Sequence, residues 1–338
     1  MAANSKIEWT YATFNPWLGC TKVAPGCAHC YAESFAKRTG KVKWGPSGTR
    51  VKTSDDYWRQ PLKWNRDAEK DAERRRVFCA SLADVFEDWS GSIHDHNGNQ
   101  LGISEEQTGW KMLIPGSGGD GFVPMATVET KRLGTMDDMR MDLFALIDKT
   151  PWLDWLLLTK RPENVRRMWP LTSDGTDSGE SDELPRSNVW IGTSISEQET
   201  ADRNLSHLLG CRDLCPVLFL SAEPLLGPIH LDQQGHQLDL DWVIVGGESG
   251  HGARPMHPDW ARSLRDQCQA AGVPFFFKQW GEFLPACQIP MPPIPKKPST
   301  MMESDGGSVH CYRVGKNAAG RMLDEREWSE FPAVDQYV

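Results

Sequence analysis

The sequence predicts an α/β fold, a partial or complete (β/α) barrel of TIM type with loop insertions and a small C-terminal extension. Three observations carry the prediction. Short runs rich in apolar, β-branched and aromatic residues recur at 77–81, 155–159, 188–193, 217–221, 242–246 and 274–278. They are near-continuous in hydrophobicity and do not alternate, the pattern of parallel strands covered on both faces. Helical periodicity fills the intervals at 136–148, 197–209 and 258–271. Polar or charged residues follow each run at once, as they do where strand ends open on a ligand-binding mouth.

In chain order, a first strand at 12–15 brings the count to six or seven β/α units. A cysteine loop follows it, and 59–76 reads as helix. The strand at 77–81 ends on Ser81 and Asp84, the next on Lys160-Arg161-Pro162-Glu163, and the third on Ser194. Glu223 follows the fourth, Gly246-Gly247-Glu248 the fifth and Lys278 the sixth. Segment 91–128, rich in Gly, Ser, Asp and His, and acidic segment 173–187 read as insertions. The barrel is expected to span 1–284, with 285–338 a proline-rich linker and extension packed on the core. No Gly-x-Gly-x-x-Gly turn follows the first strand and Walker-A spacing is absent, which argues against an open Rossmann sheet or a P-loop. There is no internal repeat.

Composition narrows the class. No apolar run in the 338 residues approaches the roughly 20 needed to span a bilayer, and residues 1–6 lack the apolar core of a secretory signal. Nine cysteines, an odd number, argue against a disulfide framework and for reduced thiols in the cytoplasm. Net charge is −9, yet 37–76 holds 13 Lys or Arg against 6 Asp or Glu, interleaved with Trp44, Tyr57, Trp58 and Trp64. That stretch suits contact with a nucleic acid through phosphates and stacked bases. The alternative is a solvated helix with ordinary ion pairs.

The most specific signal is Cys20-x6-Cys27-x2-Cys30. Three thiolates without a fourth nearby suit a [4Fe-4S] cluster with one iron left open, whereas a closed zinc site wants four ligands. Pro25 and Gly26 favour the turn that the long first gap requires. A Cys3His zinc site completed by His29 or His94 is the competing arrangement. His94-Asp95-His96 alone reads as a solvated loop, and Cys211-x3-Cys215 as two ordinary thiols. Ser249 is not a nucleophile elbow, because Gly247-Glu248-Ser249-Gly250-His251 lacks the closing glycine.

A three-cysteine loop after the first strand of a β/α barrel resembles the radical S-adenosylmethionine (SAM) superfamily. Over nearly its whole length the chain resembles more closely a phage- and prophage-associated group of uncharacterised three-cysteine radical-SAM-like proteins. Matching stretches include Asn15-Pro16-Trp17-Leu18-Gly19-Cys20, Pro25-Gly26-Cys27-Ala28-His29-Cys30-Tyr31, Leu158-Thr159-Lys160-Arg161-Pro162-Glu163, Ser221-Ala222-Glu223-Pro224, Gly246-Gly247-Glu248-Ser249-Gly250 and Phe277-Lys278-Gln279-Trp280-Gly281. The resemblance implies a radical SAM barrel whose Cys20, Cys27 and Cys30 hold a [4Fe-4S] cluster. It also implies bound SAM, cleaved reductively to a 5′-deoxyadenosyl radical, and a reductant protein such as a flavodoxin or ferredoxin. A phage-encoded chain would work in the cytoplasm of a bacterial host. The superfamily loop has a first gap of three and an aromatic before the last cysteine, where this chain has six and His29.

On this reading His29 and Tyr31 flank the cofactor, Ser81 and Asp84 lie near its amino group, Ser194 near its carboxylate or ribose, and Gly246 and Gly247 against its adenine. Lys160, Glu223, Glu248 and Lys278, charged at strand ends where desolvation is costly, are the catalytic candidates, with Arg161 beside them. For Lys160 or Lys278 the structural alternative is an ion pair with a neighbouring glutamate. Trp9, Trp17 and Trp280 are placed to shield the mouth. The function expected is modification or repair of a nucleic-acid base or nucleotide. The alternative is a non-enzymatic, zinc-stabilised nucleic-acid-binding phage protein.

Overall fold

Seven strands form one parallel sheet whose spatial order is their order along the chain. They are β1 (Ala12–Phe14), β2 (Arg75–Cys79), β3 (Leu153–Thr159), β4 (Val189–Ile195), β5 (Val217–Ala222), β6 (Trp242–Gly246) and β7 (Phe275–Gln279). The structure, a computed structural model, describes residues 5, 7–101, 134–170, 185–231, 238–289, 299–304 and 306–333. Most of the two insertions, and residues 290–298 of the proline-rich stretch, lie outside the described residues. Among the described residues no helix is long and apolar enough to cross a membrane.

Parallel neighbours require crossovers, and helices supply most of them. Helices α1 (Tyr31–Thr39) and α2 (Gln60–Asp71) lie between β1 and β2, α3 (Met136–Asp148) between β2 and β3, α4 (Gln198–Leu209) between β4 and β5, and α5 (Pro258–Ala271) between β6 and β7. Helix α3 starts on a capping box, Thr135 and Asp138 each satisfying the other's backbone N–H. It buries Met139, Leu143, Phe144 and Ile147. Helix α5 has Pro258 in its first turn and stops at Gly272, whose φ of 70° closes the left-handed cap. The helix expected at 59–76 is shorter than that. It ends at Asp71 on Ala72 with φ 51°, and Arg75 and Arg76 already belong to β2, paired with Leu153 and Asp154.

The sheet is curled, and one side chain demonstrates it. Trp9 lies 4.9 Å from the Phe78 ring on β2 and 5.9 Å from Trp242 on β6. In a flat sheet those strands would stand roughly 19 Å apart at ordinary strand spacing, so the sheet wraps around the indole into a part-barrel. Leu156, Trp190, Phe219, Ile244 and Phe276 fill the same concave side. Gly192 on β4 makes room there, since a Cβ would stand 2.4 Å from the Phe219 ring. The helices cover the convex side.

The part-barrel does not close between β1 and β7. The C-terminal extension covers the free edge of β7: Phe277 N donates to Trp328 O at 3.0 Å, Glu330 N to Phe275 O at 3.2 Å, and Trp242 Nε1 to Glu330 O at 2.8 Å. Within the extension Ser299–Ser304 and Gly307–Arg313 form an antiparallel pair, joined by Phe283–Pro285. Arg262 and Arg265 of α5 hold Asp324 at 2.6 and 2.8 Å, tying the extension to the barrel.

Candidate functional site

All seven strands point their C-terminal ends the same way, and a cleft of about 960 Å³ opens there. Cys20, Cys27 and Cys30 line it with His29 and Tyr31, facing Ser81, Asp84, Lys160, Ser194, Glu223, Gly247, Glu248 and Lys278 from the strand ends. Of the residues expected to hold the cluster, bind the cofactor or act in catalysis, Gly246 is the exception. It stands behind Glu223, where a Cβ would be 3.3 Å from the carboxyl carbon.

The cysteine loop is built on close approaches. Gly19, with φ 108°, lies where a Cβ would be 2.6 Å from Thr49 O, and its N–H bonds Leu82 O at 3.1 Å. Pro25–Cys27 form a short 3-10 turn, and Cys30 is the N-cap of α1. Lys22 reaches across the loop to Ala28 O at 3.0 Å and Glu33 at 2.7 Å. Gly26 packs against Pro224 and Ser196 beyond β5 and β4, and Gly252 leaves space for the His29 imidazole, which a Cβ would meet at 2.5 Å.

Behind Cys20 lies a buried network of two arginines and two carboxylates. Arg50, fully buried, donates to both oxygens of Glu87 at 2.6 and 2.7 Å and stacks 3.7 Å over Trp89. Arg161 donates to Glu87 at 3.2 Å, Asp84 at 2.9 Å and Thr21 O at 2.8 Å, and its Nη1 lies 3.6 Å from Cys20 Sγ. Burial, and then the charges of Asp84 and Glu87, push the free Cys20 thiol up to about 12. A cation at the thiol is what would hold it deprotonated.

The structure assigns several of the expected site residues to pairs. Lys278 grips both oxygens of Glu223 at 2.7 and 2.8 Å, with Gln279 Nε2 at 3.3 Å. Glu248 is taken by Arg254, whose Nη2 also reaches Pro25 O at 3.2 Å, so this pair holds the cysteine loop. Asp84 accepts from Arg161, Thr159 Oγ1, Lys160 N and Phe86 N. It anchors Arg161 beside Cys20. The Lys160 ammonium lines the cleft and has no hydrogen-bond or ion-pair partner among the described residues.

Other expectations need correction. Trp9 lines the cleft, but Trp17 and Trp280 are buried in the core on the convex side, Trp280 Nε1 bonding Met322 O at 2.7 Å. Tyr57 and Trp64 are not stacking surfaces. Tyr57 stacks on Phe14 at 5.1 Å and donates to Thr13 O, and Trp64 is buried in the core. Arg50 is buried, while Lys52 pairs with Asp142 and Arg74 with Asp154. His94 pairs beside Val51 in a small side sheet and does not line the cleft.

The donor chemistry of the cleft suits an iron–sulfur cluster: three thiols on one wall, an arginine against the innermost, and an open space in front. Among the described residues no group of three or more His, Cys, Asp or Glu is gathered tightly enough to hold an ion. The three thiols share the cleft wall without meeting at one point, and a [4Fe-4S] cluster takes each cysteine on a different iron.

Fold and cleft together define a class: an α/β part-barrel with a three-thiol pocket at the C-terminal ends of its strands. Within it, the chain belongs to the family described as Protein of unknown function (DUF5131), whose model matches residues 4–97 and 129–332. No curated protein and no solved structure matches it significantly.

Proposed function

We propose that the protein is an iron–sulfur enzyme of the radical SAM kind, acting on a nucleic-acid base or nucleotide and drawing electrons from a flavodoxin- or ferredoxin-like protein. One observation carries the reading: Cys20, Cys27 and Cys30 line the same cleft as the polar ends of the parallel strands. Those three cysteines would hold the [4Fe-4S] cluster and the cleft would bind SAM. When bound, the cluster supplies the electron that splits the SAM sulfonium into methionine and a 5′-deoxyadenosyl radical.

The chain's own residues bind, orient and exclude water. Arg161, held by Asp84 and Glu87, sets a positive charge against Cys20 and offsets thiolate charge. Lys22 and the Arg254–Glu248 pair fix the loop from its two sides. Trp9, Phe78 and Leu158 give the cleft an apolar wall that excludes water. The Lys160 ammonium, without a partner among the described residues, brings a positive charge to the cleft.

Anaerobically reconstituted, reduced protein is expected to convert SAM to 5′-deoxyadenosine, and the Cys20→Ala, Cys27→Ala, Cys30→Ala triple variant is expected to form none. One zinc per chain with no cleavage would overturn this reading in favour of a zinc-stabilised nucleic-acid-binding protein.

A further inference from the structure

We infer that the cleft takes a nucleotide, its phosphate held at a cationic rim and its base edge read at a polar floor. This rests on the substrate cleft of the proposed function and adds which residues recognise the substrate.

The rim follows from a charge inventory. Three carboxylates line the cleft, and each has its own cation: Asp84 with Arg161 at 2.9 Å, Glu223 with Lys278 at 2.7 Å and Glu248 with Arg254 at 2.7 Å. Arg38, Lys160 and Lys316 also line it, and none has a carboxylate partner among the described residues. Three unpaired cations at one mouth of a chain with net charge −9 make a local reversal of sign, which calls for an anionic ligand. Lysines, as compact point charges, suit phosphate.

The floor supplies the second observation. Gln279 is 5% exposed and lines the cleft, and its Nε2 is committed to Glu223, which leaves Oε1 with no partner. Buried polar atoms are ordinarily satisfied, so this orphaned acceptor at the cleft points to a ligand that brings a donor, as the amino or imino edge of a heterocyclic base does. Tyr31 adds a flat face, the residue 57% exposed while Oη is fixed to Ser81 O at 2.5 Å.

Calorimetry of the full chain as purified, without iron, separates this inference from the cluster chemistry. The probes are the four ribonucleoside 5′-monophosphates, their nucleosides and a mixed-sequence 12-nucleotide single strand. At least one monophosphate is expected to bind about tenfold tighter than its nucleoside, and Lys160→Gln with Lys316→Gln to abolish that advantage. Gln279→Leu is expected to weaken nucleoside and monophosphate by the same factor, because it acts at the base. Tighter binding of the strand than of the monophosphate assigns the phosphate to a polynucleotide, and the reverse to a free nucleotide; both uphold the inference. Equal affinity for nucleoside and monophosphate, no binding of any probe, or full affinity in the double lysine variant would overturn it. Melting curves of both variants confirm that they fold.

Discussion

At the scale of single residues, the cysteine corner depends on groups that never touch the cleft's contents. Glu87 is the hub, accepting from Arg50, Arg161 and the Thr21 N–H while 2% exposed. Glu87→Ala leaves two buried guanidinium groups short of their counter-charge, which for a broken buried pair costs about 3–5 kcal/mol. Urea unfolding should show that loss; a change under about 1 kcal/mol would contradict the network's role. The place of the cysteines in the cleft was legible, because the loop that carries them follows the first strand of the sheet. Glu87 and Arg50 were not. Arg50 sits in a run of 13 cations, and sequence does not say which one of such a run is buried. Lys278 and Glu223 were legible as strand-end charges, and their pairing fulfils the structural alternative weighed for Lys278.

At the scale of elements, strands and helices read well where both faces are buried and less well where an end is fixed by a distant partner. The limits expected for β6, α3 and α5 coincide with the observed Trp242–Gly246, Met136–Asp148 and Pro258–Ala271. Helix α2 ran too long on paper, because Arg74 to Arg76 favour helix locally while pairing with β3 overrides that preference. Close packing inside β4 gives a second prediction. Gly192→Ala puts a methyl against the Phe219 ring and is expected to cost about 1–3 kcal/mol in chemical unfolding, with Gly227→Ala, where the nearest atom would lie at 3.7 Å and φ is not positive, as the less affected control. The join of α5 to the extension gives a third. The Arg262 guanidinium, against the opposing effect of burial and with help from Gln288 and Arg265, holds Asp324 well below the usual carboxylate range. A lowered carboxylate stabilises fully above its unfolded value near ~3.9 and ceases to do so as pH falls below it. Asp324→Asn is therefore expected to lose about 1 kcal/mol at pH 7, and the gap to wild type to shrink on acidification below about pH 4. A gap that widens in acid would contradict the assignment.

At the scale of the whole molecule, the sheet's curl and the cover on its open edge are non-local facts. A run of apolar strands predicts a β/α barrel but not where it stops closing, because closure is decided between β1 and β7, more than two hundred residues apart in sequence. The structure leaves that seam open and lays Trp328–Glu330 along β7 instead. An uncovered strand edge is a template for pairing with other chains. A chain ending after Arg326 is expected to self-associate, detected by light scattering at concentrations where the full chain stays monodisperse; an equally monodisperse truncation would contradict that role. The iron–sulfur cluster proposed at the three thiols of this mouth is tested by the iron and acid-labile sulfide content of anaerobically reconstituted protein, wild type beside Cys20→Ala, Cys27→Ala and Cys30→Ala. About four of each per wild-type chain are expected, with the electron paramagnetic resonance signal of a reduced [4Fe-4S] centre, and loss of both in every single variant. Iron and sulfide that bind equally well without these cysteines, or a wild-type chain that takes up neither, would contradict it.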